Sequence, residues 1–147
     1  MADLTNQNKL AGNLTDAIKN ADIFIGVSKK DLLTQDMIKT MANKPIIFAL
    51  ANPEPEIMPD KALEAGAFVV ATGRSDFFNQ VNNVLAFPGI FKGALESSAK
   101  QITQNMKLAA AKTLAELVLN PTQENILPNT LDKKTAPAIA EAVKNAR

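Results

Sequence analysis

Cysteine, histidine and tyrosine are all absent from these 147 residues. Without cysteine there are no disulfides, no thiolate metal sites and no sulfur nucleophile. Without histidine the commonest general base and the commonest metal ligand are both missing. Without tyrosine as well, any acid–base chemistry within the chain falls to Lys, Asp or Glu. Neither sign of charge is in excess: 16 basic residues face 15 acidic ones, a net charge of +1. That balance gives no footprint for a nucleic acid or an anionic membrane surface. No apolar run approaches the roughly 20 residues that a membrane helix needs. The opening MADLTNQNKL lacks the basic-then-apolar order of a signal peptide. The phosphate-binding spacings Gly-x-Gly-x-x-Gly and Gly-x-x-x-x-Gly-Lys occur nowhere. The expectation is a cytoplasmic soluble domain with neither nucleic-acid nor membrane partners.

What is present is an ordinary globular composition, 46% apolar and 21% charged, at a length that suits one domain with a real core. Asn13 is a suitable N-cap for a short helix over Leu14–Asn20, with Asp16 in its first turn. Asp22-Ile23-Phe24-Ile25-Gly26-Val27 follows as an apolar run of strand length. Being apolar on both faces, it suits a strand buried inside a parallel sheet. Thr34 caps a second helix carrying Met37, Ile38 and Met41, and Ile46–Leu50 is a second strand. In the segment Ala51-Asn52-Pro53-Glu54-Pro55-Glu56, two prolines forbid helix and ladder pairing alike. Pro59 and Gly66 bracket a third helix, and Phe68–Thr72 is a third strand. Helix alternating with strand over short links predicts an α/β fold, a doubly wound parallel sheet of Rossmann type. Because the glycine-rich opening is absent, the pattern corresponds to the second half of such a sheet.

Ligands of such sheets sit beyond the carboxyl ends of the strands, which here are Gly26-Val27-Ser28, Ala51-Asn52-Pro53 and Thr72-Gly73-Arg74. The next stretch, Ala71–Gly93, carries the amides Asn79, Gln80, Asn82 and Asn83 and a sharp Phe87-Pro88-Gly89 break, where Pro88-Gly89 suits either a plain helix entry or a helix N-terminus that favours an anion. Beyond it, periodicity predicts one long helix over Ala99–Leu119, stopped by Asn120-Pro121, and a last helix over Ala136–Asn145. An amide donates to a carboxylate, accepts from a carboxamide and does not titrate near neutral pH, so it orients a substrate without moving a proton. The competing reading for each amide is a turn or cap residue, since Asn is common in both roles. Asp76 and Glu54 are read as loop carboxylates rather than metal ligands, Lys29-Lys30 as a solvated pair, and the Met106–Leu117 stripe as core.

These segments, in this order, resemble the NAD(P)-binding domain of bacterial malic enzymes. The resemblance is carried by Ala21–Ser28, Pro45–Ile57, Ala71–Asp76, Asn79–Phe91, Met106–Lys112 and Ile126-Leu127-Pro128. It implies oxidative decarboxylation of malate to pyruvate and carbon dioxide with NAD or NADP and a divalent metal, Mg or Mn. Asn52 matches the asparagine that reaches malate and the nicotinamide end of the cofactor. Asn83 and Asn82 match the amide pair before Phe-Pro-Gly, one of which holds a substrate carboxylate. Gly26, Val27 and Ser28 match the turn along the cofactor, and Thr72 and Gly73 a wall near the nicotinamide ribose. Phe78 departs from the pattern, where a proline is usual. The catalytic tyrosine and lysine, the metal carboxylates and the glycine-rich loop match nothing here.

No catalytic residue and no metal ligand is therefore assigned to this chain. The expectation is a partial NAD(P)-binding domain over residues 1–147, a portion of a longer or split enzyme and inactive alone. Its dinucleotide affinity should be weak, and an uncovered strand edge should make it self-associate as a homo-oligomer. The alternative is a stand-alone binding or interaction module that keeps the sheet without the chemistry.

Overall fold

The computed structural model describes residues 2–147. It comprises two compact units, Met1–Gly73 and Arg74–Arg147. The first opens with a short helix, α1 (Ala2–Thr5), that the sequence did not signal. Then α2 (Leu14–Ile18), β1 (Ile23–Gly26), α3 (Gln35–Lys39), β2 (Ile46–Ala49), α4 (Pro59–Glu64) and β3 (Val69–Thr72) follow in alternation. The three strands pair in parallel in the order β1-β2-β3, as the alternation predicts.

Local chemistry fixes the helix ends. Asn13 accepts from the Thr15 and Asp16 amides while Asp16 accepts from the Asn13 amide, a reciprocal cap that starts α2. Asn20, at φ 59°, ends that turn two residues after Ile18 and so shortens the expected helix. Thr34 accepts from the Met37 amide to start α3, and Pro59 opens α4. Gly66, at φ +100°, supplies the left-handed residue that turns the chain out of α4.

One face of the sheet is the core of this unit. Phe24, Ile47, Ala49 and Val70 pack with Ile18, Leu33, Ile38, Met41, Ile57 and Ala62. The other face differs from expectation at β1. Ile23, Ile25 and Val27 are exposed, at 51%, 67% and 78%. The strand is apolar on both sides, but it lies at the sheet edge and helices α2–α4 supply core on only one face. Its burial alternates, although its sequence does not.

The second unit is helical: a 3-10 turn over Asn83–Leu85, α5 (Phe87–Glu96), α6 (Gln104–Glu116) and α7 (Thr135–Asn145). Phe87-Pro88-Gly89 is a helix start, with Pro88 in the first turn where its missing amide costs nothing. The long helix expected over Ala99–Leu119 is confined to α6. Ser98, at φ 52°, turns the chain after α5, and Thr103 caps the new helix by accepting from the Met106 amide at 3.2 Å. Met106 and Ala110 pack with Ile139 and Val143 of α7, so the stripe on α6 is core, as expected.

Two glycines of α5 set how closely α7 approaches. A Cβ on Gly89 would lie 2.6 Å from the Ile139 Cβ, and one on Gly93 would lie 2.8 Å from the Val143 Cβ and against the Ala140 carbonyl. Spaced four apart, they lie one above the other on a single helix face. Replacing glycine by alanine inside a helix normally stabilises it by about 0.5–1 kcal/mol. At Gly93 the sign should reverse: Gly93→Ala is expected to lower stability by about 1–3 kcal/mol through overpacking. Urea unfolding followed by circular dichroism would show this, and a raised midpoint would refute the close packing.

Candidate functional site

In the first unit the strand register aligns Gly26, Ala49 and Thr72 side by side. The loops that leave the three strands therefore start level, at the carboxyl edge where parallel sheets place ligands. Five expected residues, Gly26, Val27, Ser28, Asn52 and Gly73, lie on this edge, and Thr72 forms its floor at 1% exposure. A Cβ on Gly73 would lie 3.1 Å from the Asn52 Oδ1. Glycine at this position thus leaves room for the Asn52 carboxamide to cross it. Asn52 itself is exposed, and among the described residues its carboxamide makes no hydrogen bond. The Asn52-Pro53 peptide is cis. A hollow of about 340 Å³ lies beside it, lined by Ser28, Lys29, Lys30, Asn52, Pro53 and Glu54. Lys30 pairs with Glu54 at 3.1 Å across open solvent, a contact worth little by itself.

Glu56, which the sequence reading passed over, is the centre of this edge. It is fully buried. Its Oε1 accepts from the Ser28 amide at 2.7 Å, and its Oε2 accepts from the Ala51 amide at 3.1 Å. A Cβ on Gly26 would lie 2.6 Å from the same Oε1. The missing side chain of Gly26 is therefore filled by the Glu56 carboxyl. The available signal was a glutamate between Pro55 and the apolar Ile57, in a segment that offers few amide donors of its own.

In the second unit the amide cluster divides into structural and uncommitted members. Asn79 is buried; its Nδ2 donates to the Gln123 carbonyl at 2.8 Å and its Oδ1 accepts from the Ile126 amide at 2.9 Å. It pins the turn in which Thr122 and Asn125 exchange backbone hydrogen bonds. Asn82 caps the 3-10 turn by accepting from the Val84 amide at 3.0 Å. Asn83 is exposed, and among the described residues its carboxamide has no partner. An open groove of about 760 Å³ runs between the segments carrying Phe77, Phe78, Asn82 and those carrying Asn125, Leu127 and Leu131. Asn83 is not among its lining residues.

The Arg74 guanidinium grips Asp76 through both ends of its fork, at 2.9 and 2.7 Å. The hydrogen bond from Arg74 holds the Asp76 carboxyl below the usual aspartate range. That carboxylate is committed to a side chain two residues away, as a loop carboxylate should be. Among the described residues no three carboxylates, histidines or cysteines cluster closely enough to hold a metal ion.

The family model for the malic enzyme NAD-binding domain matches residues 1–146. A bifunctional malic/malolactic enzyme of Bacillus subtilis is 55% identical, over 99% of this chain and 36% of its own length. An NADP-dependent malic enzyme of Escherichia coli is 47% identical, over 88% of this chain and 20% of its own length. The crystal structure of the NAD-dependent malic enzyme from Thermotoga maritima superposes with a TM-score of 0.96 at 51% identity, covering 99% of this chain and 38% of that one. The chain thus spans about a third or less of the curated relatives it matches.

The two kinds of amide should separate on mutation. Asn79→Ala leaves the Gln123 carbonyl and the Ile126 amide without a partner and is expected to cost about 1–3 kcal/mol. Asn83→Ala removes no bond and should stay within about 0.5 kcal/mol of the parent. Thermal unfolding of both variants would check the contrast, and equal losses would refute it.

Proposed function

This chain belongs to the malic enzyme NAD-binding domain family, and on that premise we propose that it is the cofactor- and substrate-holding portion of an enzyme converting malate to pyruvate and carbon dioxide. The observation that carries the proposal is the family match over residues 1–146. Two further facts support it: the level loop edge of the first unit, and the uncommitted carboxamides of Asn52 and Asn83. In this reading Gly26, Val27 and Ser28 lie along the dinucleotide, Thr72 and Gly73 wall the nicotinamide ribose, and Asn82 of the second unit is assigned to the cofactor by the resemblance. Asn52 and Asn83 hold malate. Bound NAD or NADP supplies the hydride acceptor.

An uncharged amide suits that task. Its N–H donates to a malate carboxylate, its oxygen accepts from a hydroxyl or carboxamide, and neither changes state near neutral pH. Such residues contribute by fixing orientation. The proton transfers and the divalent metal, Mg or Mn, belong to side chains outside these 147 residues, which contain no tyrosine and no histidine. The working assembly is read as cytoplasmic. No helix among the described residues is long and apolar enough to cross a membrane.

Two measurements test the reading. The isolated polypeptide, given malate, manganese and either cofactor, is expected to show no turnover. Titration with NAD followed by amide NMR should give weak binding with shifts at Val27, Ser28, Asn52 and Gly73. Clear turnover would refute the division of labour; tight binding, or shifts confined to other residues, would refute the assignment of the edge.

The exposed row Ile23, Ile25 and Val27 on an edge strand supports self-association, since uncovered apolar faces and strand edges invite pairing. In a sizing experiment at micromolar concentration the chain is expected to run larger than a monomer, and Ile25→Lys to shift it towards monomer. A monodisperse parent monomer would refute this.

A further inference from the structure

The Glu56 carboxylate joins two loops that the sequence separates by more than twenty residues. One oxygen is held by the Ser28 amide beyond β1, and the other by the Ala51 amide beyond β2, immediately before Asn52. The segment that carries Glu56 is itself tied down. The Leu33 amide donates to the Glu56 carbonyl at 3.0 Å and the Asp31 amide to the Pro55 carbonyl at 3.4 Å. Gly26 lies against the carboxyl on a third side, with room for no Cβ.

We propose that Glu56 is the positioning residue of this edge: it fixes the turn Gly26–Ser28 and the Asn52 loop at one separation, so that cofactor-facing and substrate-facing groups move as one. The inference rests on the function proposed above for those loops. It requires a carboxylate specifically. Two backbone N–H groups point at the two oxygens, and among side chains of this size only a carboxylate accepts at both. A glutamine there would turn its NH2 on one of the two donors, leaving one good bond and one donor facing a donor. A buried donor without an acceptor is costly, so one of the loops would be released. Water has little access on the Ala51 side, where the bond and the Glu56 side chain are both buried, whereas Ser28 lies at the surface. Glu56 touches neither substrate nor cofactor in this role.

The test uses the chain itself and has an arm that needs no ligand. In the parent, the Ser28 and Ala51 amides should exchange slowly with solvent. In Glu56→Gln, which preserves volume, at least one of the two should exchange tenfold faster or more, while the circular dichroism spectrum and the protection of core amides such as Ile47 are kept. Gly26→Ala, which displaces the carboxyl without altering it, should produce the same change. The second arm is a titration with NAD. In the parent, shifts at Ser28 and at Asn52 should follow one apparent affinity. In Glu56→Gln that affinity should fall fivefold or more, or the two sites should report different values. Glu56→Asp, which keeps the acceptors on a shorter stem, should restore part of the parent behaviour where Glu56→Ala does not.

If Glu56→Gln leaves both amides protected, the positioning role is overturned. If the amides are released but NAD binding at both loops is unchanged, it is overturned equally. If the parent shows no response to NAD at either loop, the functional reading fails, and the exchange arm alone then decides whether Glu56 clamps the two loops.

Discussion

A carboxylate removed from water is tolerated only where its charge is met, and in the first unit Glu56 is met entirely by backbone. Burying an ionised group without partners costs far more than a domain can spare, whereas charge-assisted bonds to N–H donors are among the stronger hydrogen bonds. Much of the edge follows from this arrangement. Ser28 and Ala51 must present their amides to the carboxyl, Gly26 must have no side chain, and the chain between Asn52 and Glu56 must turn so that the carboxyl reaches the Ala51 amide. Parallel pairing makes the clamp possible, since strands in register deliver Gly26, Ala49 and Thr72 to the same level. The loops then need only one short bridge to be fixed.

The second unit solves a different packing problem by a related means. Gly89 and Gly93 let α5 and α7 approach until side chain meets backbone, and Met106, Ile139 and Val143 fill the space beside that contact. In both units a glycine marks where another group has taken the volume of a side chain. At Gly26 that group is a carboxylate, and at Gly93 a helix backbone. Neither contact is visible in the glycine itself: Gly26 ends a strand and Gly93 sits inside a helix, and what fills the space beside each comes from a distant segment.

The amides illustrate how structure sorts residues that composition cannot. Asn79, Asn82 and Asn83 sit within five positions of one another, yet one pins a distant turn, one caps its own turn and one is left free. An asparagine with both ends engaged is part of the scaffold. One that is exposed and unengaged is available to a ligand, and Asn52 and Asn83 are the two that the family resemblance assigns to malate.

By itself the sequence determined the fold class, the order of the strands along the chain, the helix caps at Asn13 and Thr34 and the family, because periodicity, capping and long ordered motifs are local signals. It also determined what chemistry is missing, since an absent tyrosine or histidine needs no coordinates. Tertiary structure decided the rest. Whether β1 is covered on both faces depends on what packs against it, so the exposure of Ile23 and Ile25 was not legible in an evenly apolar run. The split between α5 and α6 turned on Ser98 at φ 52° and on the Thr103 cap, inside a stretch whose apolar spacing runs on evenly. The job of Glu56 was invisible because its partners are backbone amides, which look alike at every position of a sequence. Only folding brings the amides of Ser28 and Ala51 to the two oxygens of one side chain.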